Sequence, residues 1–112
     1  MSEKTCRTLV HARATPAQLN VSLCEVCSLP GQSVHHRLKR SAGGLWEPAN
    51  CILVCGNGVT GCHGRIEHNP GWAESEGLAL PPWGIPEDVP LIRWGTWVYL
   101  NNDGSVTPWT KM

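Results

Sequence analysis

The chain has 112 residues, enough for one small domain whose apolar core is thin and which a bound metal or a cross-link would help to stabilise. It contains six cysteines and six tryptophans but no phenylalanine, and nine basic and nine acidic residues give a formal net charge of zero. No apolar run approaches the roughly 20 residues that cross a bilayer and no signal peptide is recognisable, so we expect a cytoplasmic protein without a membrane partner. We also expect a monomer.

Charge is unevenly distributed along the chain. Residues 1–44 contain six Lys or Arg and two acidic residues, whereas residues 45–112 contain three Lys or Arg and seven acidic residues. A basic half of this kind can dock on phosphates, but ordinary scatter explains the asymmetry equally well. Charge alone therefore identifies no partner.

The first predicted unit is an N-terminal extension at residues 1–23, which shows no strong periodicity. Within it "TPAQLN" (15–20) predicts one helical turn, with Thr15 as the N-cap and Pro16 at the first helical position. Cysteines, histidines and glycines concentrate after this segment. We therefore place the working core of the protein at residues 24–78.

Two short strands are expected inside the core, at 33–37 and 50–54. The loop between them contains Gly43, Gly44 and Pro48, which argue against regular structure. The following stretch, "GNGVTG" (56–61), is typical of turns.

Two helices are expected after these turns. "CHGRIEH" (62–68) predicts a short one, and residues 69–77 predict a second that begins with Asn69 as N-cap and ends at Gly77. These elements give an α+β fold class.

The last predicted unit, residues 79–112, begins with a proline-rich connector at 80–90 that we expect to lie over the surface. A β-hairpin follows, with strands at 96–100 and 105–109. Its tryptophans favour packing against the core, with a partner-binding surface as the alternative.

Four cysteines are spaced as metal ligands, in the order Cys24-x2-Cys27 and Cys55-x6-Cys62. Two such pairs complete the tetrahedron that structural Zn²⁺ prefers, and glycines inside the wider x6 gap would let the backbone loop out and return. A thioredoxin-like redox pair and structural disulfides are the weaker alternatives, since "SLPG" after Cys27 breaks a helix and the compartment is expected to be reducing.

The two remaining cysteines lie outside this pattern. Cys51 falls on a predicted strand and is expected to be a buried, small apolar residue. Cys6 is expected to be a free thiol near a loose terminus.

The histidines suggest a second site. His35 and His36 are adjacent on a predicted strand, so their side chains point to opposite faces and cannot easily ligate one ion together. One could serve as a ligand and the other could face the water or substrate beside it. His63 directly follows a zinc cysteine, which would fix its position relative to this strand.

The pattern "CEVC … VHHR … N … C … CH" over about residues 24–72 resembles the HNH endonucleases. These are ββα-metal (His-Me finger) nucleases, and the likeness is to the small four-cysteine zinc versions of bacteriophages and actinobacteria. The motif elements are His36, Asn50 and His63, with 13 and then 12 residues between them. The resemblance implies a ββα-metal core held by the four-cysteine zinc site.

The resemblance also implies residue roles. His35 and His63 would ligate a catalytic Mg²⁺ or Mn²⁺, with other divalent transition metals as alternatives and with Glu67 or His68 as a further ligand. His36 would be the general base that activates water, and Asn50 would brace the strand pair and hold the base in orientation.

The reaction implied is single-metal hydrolysis of a phosphodiester in double-stranded DNA, leaving 5′-phosphate and 3′-hydroxyl ends. Candidate phosphate contacts are Arg37, Lys39, Arg40 and Arg65, with a solvated cationic loop as the alternative interpretation of these residues. A phage terminase or packaging protein is a partner suggested by the resemblance alone. The alternative function is a zinc-binding DNA- or protein-interaction module that has lost cleavage.

Overall fold

Three α-helices, five short strands and two single-turn 3-10 helices (Arg40–Ala42 and Pro86–Asp88) make up the computed structural model, which describes residues 1–110. In chain order the α-helices and strands are α1 (Glu3–Arg13), β1 (Ser33–His36), β2 (Cys51–Val54), α2 (Gly61–His68), α3 (Pro70–Ser75), β3 (Leu91–Arg93), β4 (Thr96–Leu100) and β5 (Val106–Pro108). The fold is a small mixed α/β structure. Within residues 1–110, no helix combines the length and apolar character needed to span a bilayer.

Strands β1 and β2 pair antiparallel, with His35 opposite Ile52 and His36 opposite Cys51. Because side chains alternate across a strand, the two faces of this pair differ. Cys51 and Leu53 pack with α1, whereas Ile52 and Val54 belong to the core cluster on the other side. The strands expected at 33–37 and 50–54 are confirmed to within one residue.

Helix α1 was not expected from the sequence. Ser2 caps it, its Oγ accepting a hydrogen bond from Thr5 N at 3.1 Å. Cys6 and Val10 of the helix and its C-cap Ala14 recur every fourth residue and form one buried stripe against β2. Cys6 is a free thiol as expected, but the expectation of a loose terminus is wrong, because the side chain is fully buried within α1.

The segment after α1 also differs from expectation. No helix begins at Pro16; instead the chain makes one tight turn, in which Leu19 N donates to Pro16 O at 3.0 Å. Arg13, at the end of α1, points back into the protein and forms a salt bridge with Glu25 at 2.8 Å.

Glu25 joins three parts of the fold. Its carboxylate binds Arg13 and, at 2.6 Å, Arg93 of β3, and it also accepts from Leu53 N in β2 at 3.0 Å. Burial alone raises the pKa of this carboxyl, but the two guanidinium groups outweigh that effect and hold the pKa below its usual range.

Helices α2 and α3 confirm the two expected helices after the second strand, with bounds that shift slightly. Asn69 does not cap α3 as expected; its Nδ2 donates back to Arg65 O at 3.0 Å, and Pro70 opens the helix without a side-chain cap. The stop at Gly77 is confirmed, since its φ of +73° is the left-handed conformation that glycine adopts without strain.

The C-terminal hairpin is confirmed and has a third strand. β4 pairs with β5, and β3, which the sequence did not indicate, pairs with the other edge of β4 to give the order β3-β4-β5. Leu91, Val98 and Leu100 of this sheet share one apolar cluster with Ile52 and Val54. The hairpin therefore packs against the β1–β2 unit.

Candidate metal centre

Four cysteines converge where β2 meets α2. Their sulfur atoms all lie within 4.8 Å of one another, and Cys27 Sγ is 3.6 Å from Cys55 Sγ. Cys24 and Cys27 come from the turn before β1, Cys55 follows β2, and Cys62 is the second residue of α2. Four thiolates at this separation could hold a zinc ion tetrahedrally.

Within each cysteine pair, the backbone amide of the second cysteine faces the sulfur of the first. The amide of Cys27 points to Cys24 Sγ at 3.5 Å and that of Cys62 to Cys55 Sγ at 3.3 Å, and such donors favour the thiolate form that a metal requires. Gly56 and Gly61 have positive φ values of +78° and +64°, which lets the six residues between the second pair turn back on themselves. The expected role of these two glycines is confirmed.

A second group of potential ligands comprises His35, His63 and Glu67, whose ligand atoms also lie within 4.8 Å of one another. Glu67 Oε1 is 3.6 Å from His35 Nδ1 and 3.7 Å from His63 Nε2. Glu67 follows His63 by four residues, so both lie on one face of α2. Glu67 therefore belongs to this group, whereas His68, the other residue expected as a possible further ligand, is exposed and lies outside it.

Hydrogen bonds determine which nitrogen of each imidazole is free. His35 Nε2 lies 2.8 Å from Leu78 O, a carbonyl that can only accept, so this nitrogen carries the proton. Ser33 Oγ donates to Gly56 O at 3.0 Å and can therefore accept from His63 Nδ1 at 2.9 Å. Both remaining lone pairs, on His35 Nδ1 and His63 Nε2, face the Glu67 carboxylate, as metal ligands require.

Burial keeps His35 neutral. Its side chain is almost inaccessible, and the loss of solvation lowers its pKa to about 4. A neutral imidazole with one lone pair directed at a carboxylate is suited to bind a cation. Ser33, which orients His63, was missed in the sequence, although its place two residues before His35 puts both side chains on the same strand face.

His36 lies on the other face of β1, as the alternation predicts. Its ring meets the indole of Trp46 edge-on at a centroid distance of 4.3 Å, and the guanidinium groups of Arg7 and Arg40 lie over that indole at 4.8 and 5.6 Å. Partial burial, followed by the charges of Arg40 and Arg7, lowers the pKa of His36 below its usual value. The imidazole is thus biased towards the neutral form that can accept a proton.

His36 nevertheless adjoins the ligand group. One open groove is lined in common by His35, His36, His63 and Glu67, together with Lys39 and Arg40. His36 Nε2 is buried and has no hydrogen-bond partner within residues 1–110. Trp46, which packs against this ring, lies in the loop at 38–49, where no sequence pattern indicates the contact.

Asn50 fastens the loop to the strand pair. Its Oδ1 accepts from Leu38 N at 2.7 Å, and its Nδ2 donates to Leu38 O and to Leu45 O at 3.1 and 3.2 Å. Leu38 follows His36 by two residues, so these bonds fix the backbone conformation directly after the two histidines.

The expectation that Arg37 contacts phosphate is wrong. The side chain is 1 % exposed, and its guanidinium donates to four backbone carbonyls, those of Gly77, Ala49, Pro86 and Val89, at 2.7–3.1 Å. The position follows from alternation along β1, which turns Arg37 inward with His35.

The other three candidate phosphate contacts are exposed. Lys39 and Arg40 line the groove beside His36, and Arg65 lies over the Trp72 ring at 3.7 Å on the surface of α2.

Searches against protein-family models, curated proteins and solved structures found no match to this chain. Any functional assignment therefore depends on the geometry of the site and on the sequence motif.

Proposed function

We propose that the protein is a metal-dependent DNA endonuclease of the HNH type, whose β1-β2-α2 unit forms a ββα-metal core stabilised by one Zn²⁺ at the four cysteines. The observation that carries the proposal is the convergence of His35 Nδ1, His63 Nε2 and the Glu67 carboxylate beside the neutral imidazole of His36. A binding module has no need for two oriented lone pairs and a carboxylate next to a base.

Two imidazole nitrogens and one carboxylate suit a divalent transition metal such as Mn²⁺ better than Mg²⁺, which prefers oxygen ligands, and they would leave positions open for water and phosphate. When bound, such an ion would polarise the phosphodiester and stabilise negative charge on the leaving 3′ oxygen. His35 and His63 would hold their free lone pairs towards Glu67, because Leu78 O and Ser33 Oγ fix the opposite ring nitrogens.

His36 would take the proton from the attacking water. Its depressed pKa keeps the imidazole unprotonated near neutral pH, and its place on the groove brings it to the same phosphate that the ligand group would hold. Asn50 maintains this placement through Leu38, and Lys39 and Arg40 provide positive charge for the flanking phosphates. The products would carry 5′-phosphate and 3′-hydroxyl ends.

Nicking of supercoiled plasmid with added Mg²⁺ or Mn²⁺ tests the proposal. We expect nicking that requires the added ion, and a loss of at least about 10²-fold in rate for His36→Ala, the usual range for a general base. The matched control is His11→Ala, because His11 is an exposed histidine outside the motif. Equal rates for wild type and His36→Ala would refute the mechanism, and DNA binding without nicking would favour an interaction module.

A further inference from the structure

Two depressions of different character meet at the candidate metal centre. The first is the open groove already described. The second is a more enclosed cleft of about 260 Å³ that shares His35, His36, Lys39 and Glu67 with the groove and continues between α3 and the proline-rich segment. One end of this cleft is therefore built from the same side chains as the proposed catalytic site.

The two depressions differ in charge. The groove carries Lys39 and Arg40, which suit a phosphate backbone. The cleft adds no exposed cation beyond Lys39; its further walls are mainly Ala42, Ala79, Leu80, Pro81 and Pro82, with Glu74 as an added carboxylate. Apolar walls with one hydrogen-bond acceptor disfavour a second phosphate and suit a flat base, whose exocyclic amino group can donate to a carboxylate.

Leu80, Pro81 and Pro82 form one wall of the cleft, called here the proline-rich wall, and Arg37 holds it in place. The Arg37 backbone carbonyl accepts from Leu80 N at 2.8 Å, while its guanidinium donates to Gly77 O, before the wall, and to Pro86 O and Val89 O, after it. The residue next to His36 thus fixes both ends of the wall. The cleft is pre-formed relative to the catalytic strand, which lowers the entropic cost of binding.

An exposed aromatic side chain adjoins this wall. Pro81–Gly84 form a tight turn, in which Gly84 N donates to Pro81 O at 2.8 Å, and Trp83 directly follows the cleft residue Pro82. Trp83 is 81 % exposed, which is unusual for so large an apolar residue. An exposed indole is a platform on which an unpaired base can stack.

We propose that the cleft receives one unpaired nucleobase next to the phosphate held at the metal centre, with Trp83 stacking on a neighbouring base. The preferred substrate is then single-stranded or locally unpaired DNA. In an intact duplex the bases are stacked and paired, and a base reaches an enclosed cleft only after it leaves the helix. This inference rests on the proposed nuclease function, because it places the scissile phosphate at His35, His63 and Glu67.

Binding is measured first, because it needs no catalysis. A fluorescein-labelled single-stranded oligonucleotide and its duplex are titrated with the zinc-loaded protein in buffer without added Mg²⁺ or Mn²⁺. We expect the single strand to bind at least about 10-fold more tightly than the duplex, and Trp83→Ala to weaken single-strand binding by about 5-fold or more while leaving duplex binding unchanged. Equal affinities for the two forms, or an unchanged Trp83→Ala variant, would overturn the proposal.

A second experiment fills the cleft with a large side chain and measures cleavage. Ala42→Trp introduces an indole at an exposed cleft residue, and Ala17→Trp is the matched control at an exposed alanine remote from the cleft. With added Mn²⁺, Ala42→Trp should cleave single-stranded DNA at least about 10-fold more slowly than wild type, and Ala17→Trp should match wild type. In an oligonucleotide with a central abasic stretch, wild-type cuts should avoid that stretch.

The outcomes separate the two proposals. If the wild type cleaves duplex as fast as single strand, and Ala42→Trp is as active as wild type, the base-binding cleft is refuted while the nuclease assignment stands. If no substrate is cleaved but the single-strand preference in binding depends on Trp83, the nuclease assignment fails and the surface is a single-strand binding site. If neither cleavage nor that preference is found, both proposals fail.

Discussion

The Asn50 side-chain amide makes two hydrogen bonds with the backbone of Leu38: Oδ1 accepts from Leu38 N at 2.7 Å, and Nδ2 donates to Leu38 O at 3.1 Å. A third bond from Nδ2 to Leu45 O closes the loop that carries Trp46. One buried amide thus fixes the backbone that follows β1 and the loop whose Trp46 packs against His36.

Replacing this amide by a carboxylate removes the donor while keeping the shape. In Asn50→Asp, the carbonyls of Leu38 and Leu45 lose their donor and face a buried negative charge, so we expect the free energy of unfolding to fall by about 3 kcal/mol. Urea denaturation measures the change. Asn20→Asp, at an exposed asparagine, is the control and should stay within about 0.5 kcal/mol of wild type; similar losses in both variants would contradict the bracing role.

Zinc content and folding should be linked. We expect close to one tightly held Zn per chain by elemental mass spectrometry, and Cys24→Ser should lose the ion and unfold, because binding energy at such a site is folding energy. Cys6→Ala is the control: Cys6 is also fully buried but packs under α1 outside the cluster, so this variant should lose some stability and keep its zinc. A folded, zinc-free Cys24→Ser protein would refute the structural role of the metal.

Arg37 should matter for stability. In Arg37→Met, four backbone carbonyls lose their donors at once, two of them beyond the proline-rich wall. We expect a loss of at least about 3 kcal/mol, with only partial recovery in Arg37→Lys, since an ammonium group cannot reproduce the planar fork of the guanidinium. Thermal and urea unfolding of both variants measure this. An Arg37→Met protein as stable as wild type would show that the carbonyls are satisfied in another way.

Lys39 should instead affect nucleic-acid affinity. Its side chain is exposed and lines both depressions, so Lys39→Ala should weaken DNA binding and reduce the slope of log affinity against log salt by about 1, without lowering the unfolding temperature. Anisotropy titrations at several salt concentrations measure the slope. Lys4→Ala, an exposed lysine of α1, is the control; equal slope changes in both variants would indicate diffuse charge attraction.

The candidate ligand residues could be identified from the sequence because metal chemistry restricts such residues to a few types. Cys24, Cys27, Cys55 and Cys62 were paired by spacing, and their convergence in space confirms that pairing. His35 and His36 were expected on opposite faces from strand alternation alone, and the structure bears this out.

Other parts of the fold depend on contacts that no local pattern encodes. Helix α1 has a narrow apolar stripe of small side chains, Cys6, Val10 and Ala14, and is stabilised by packing on β2 more than by its own propensity. Strand β3 has three residues, too few to show alternation. Alternation along β1 directs Arg37 inward, but three of the carbonyls that receive its donors lie 40 to 52 residues away in the sequence, where no local pattern indicates them. The choice between Glu67 and His68 likewise needed the rotation of α2 relative to β1.

That choice gives the sharpest test of the candidate centre. Glu67 faces His35 Nδ1 and His63 Nε2 at 3.6 and 3.7 Å, whereas the neighbouring His68 is exposed on another side of α2. Glu67→Gln keeps the shape of the side chain and removes its charge, so it should weaken Mn²⁺ binding and slow nicking by at least about 10²-fold. His68→Gln should leave both unchanged, because its side chain is outside the ligand group.

Raising the Mn²⁺ concentration separates ligation from other effects. If Glu67 acts as a ligand, excess Mn²⁺ should restore part of the lost rate in Glu67→Gln, because the defect lies in occupancy of the site. The same excess should not restore His36→Ala, in which the proton acceptor is missing. Loss of activity in His68→Gln together with full activity in Glu67→Gln would reverse the assignment and require α2 to be rotated in the active protein.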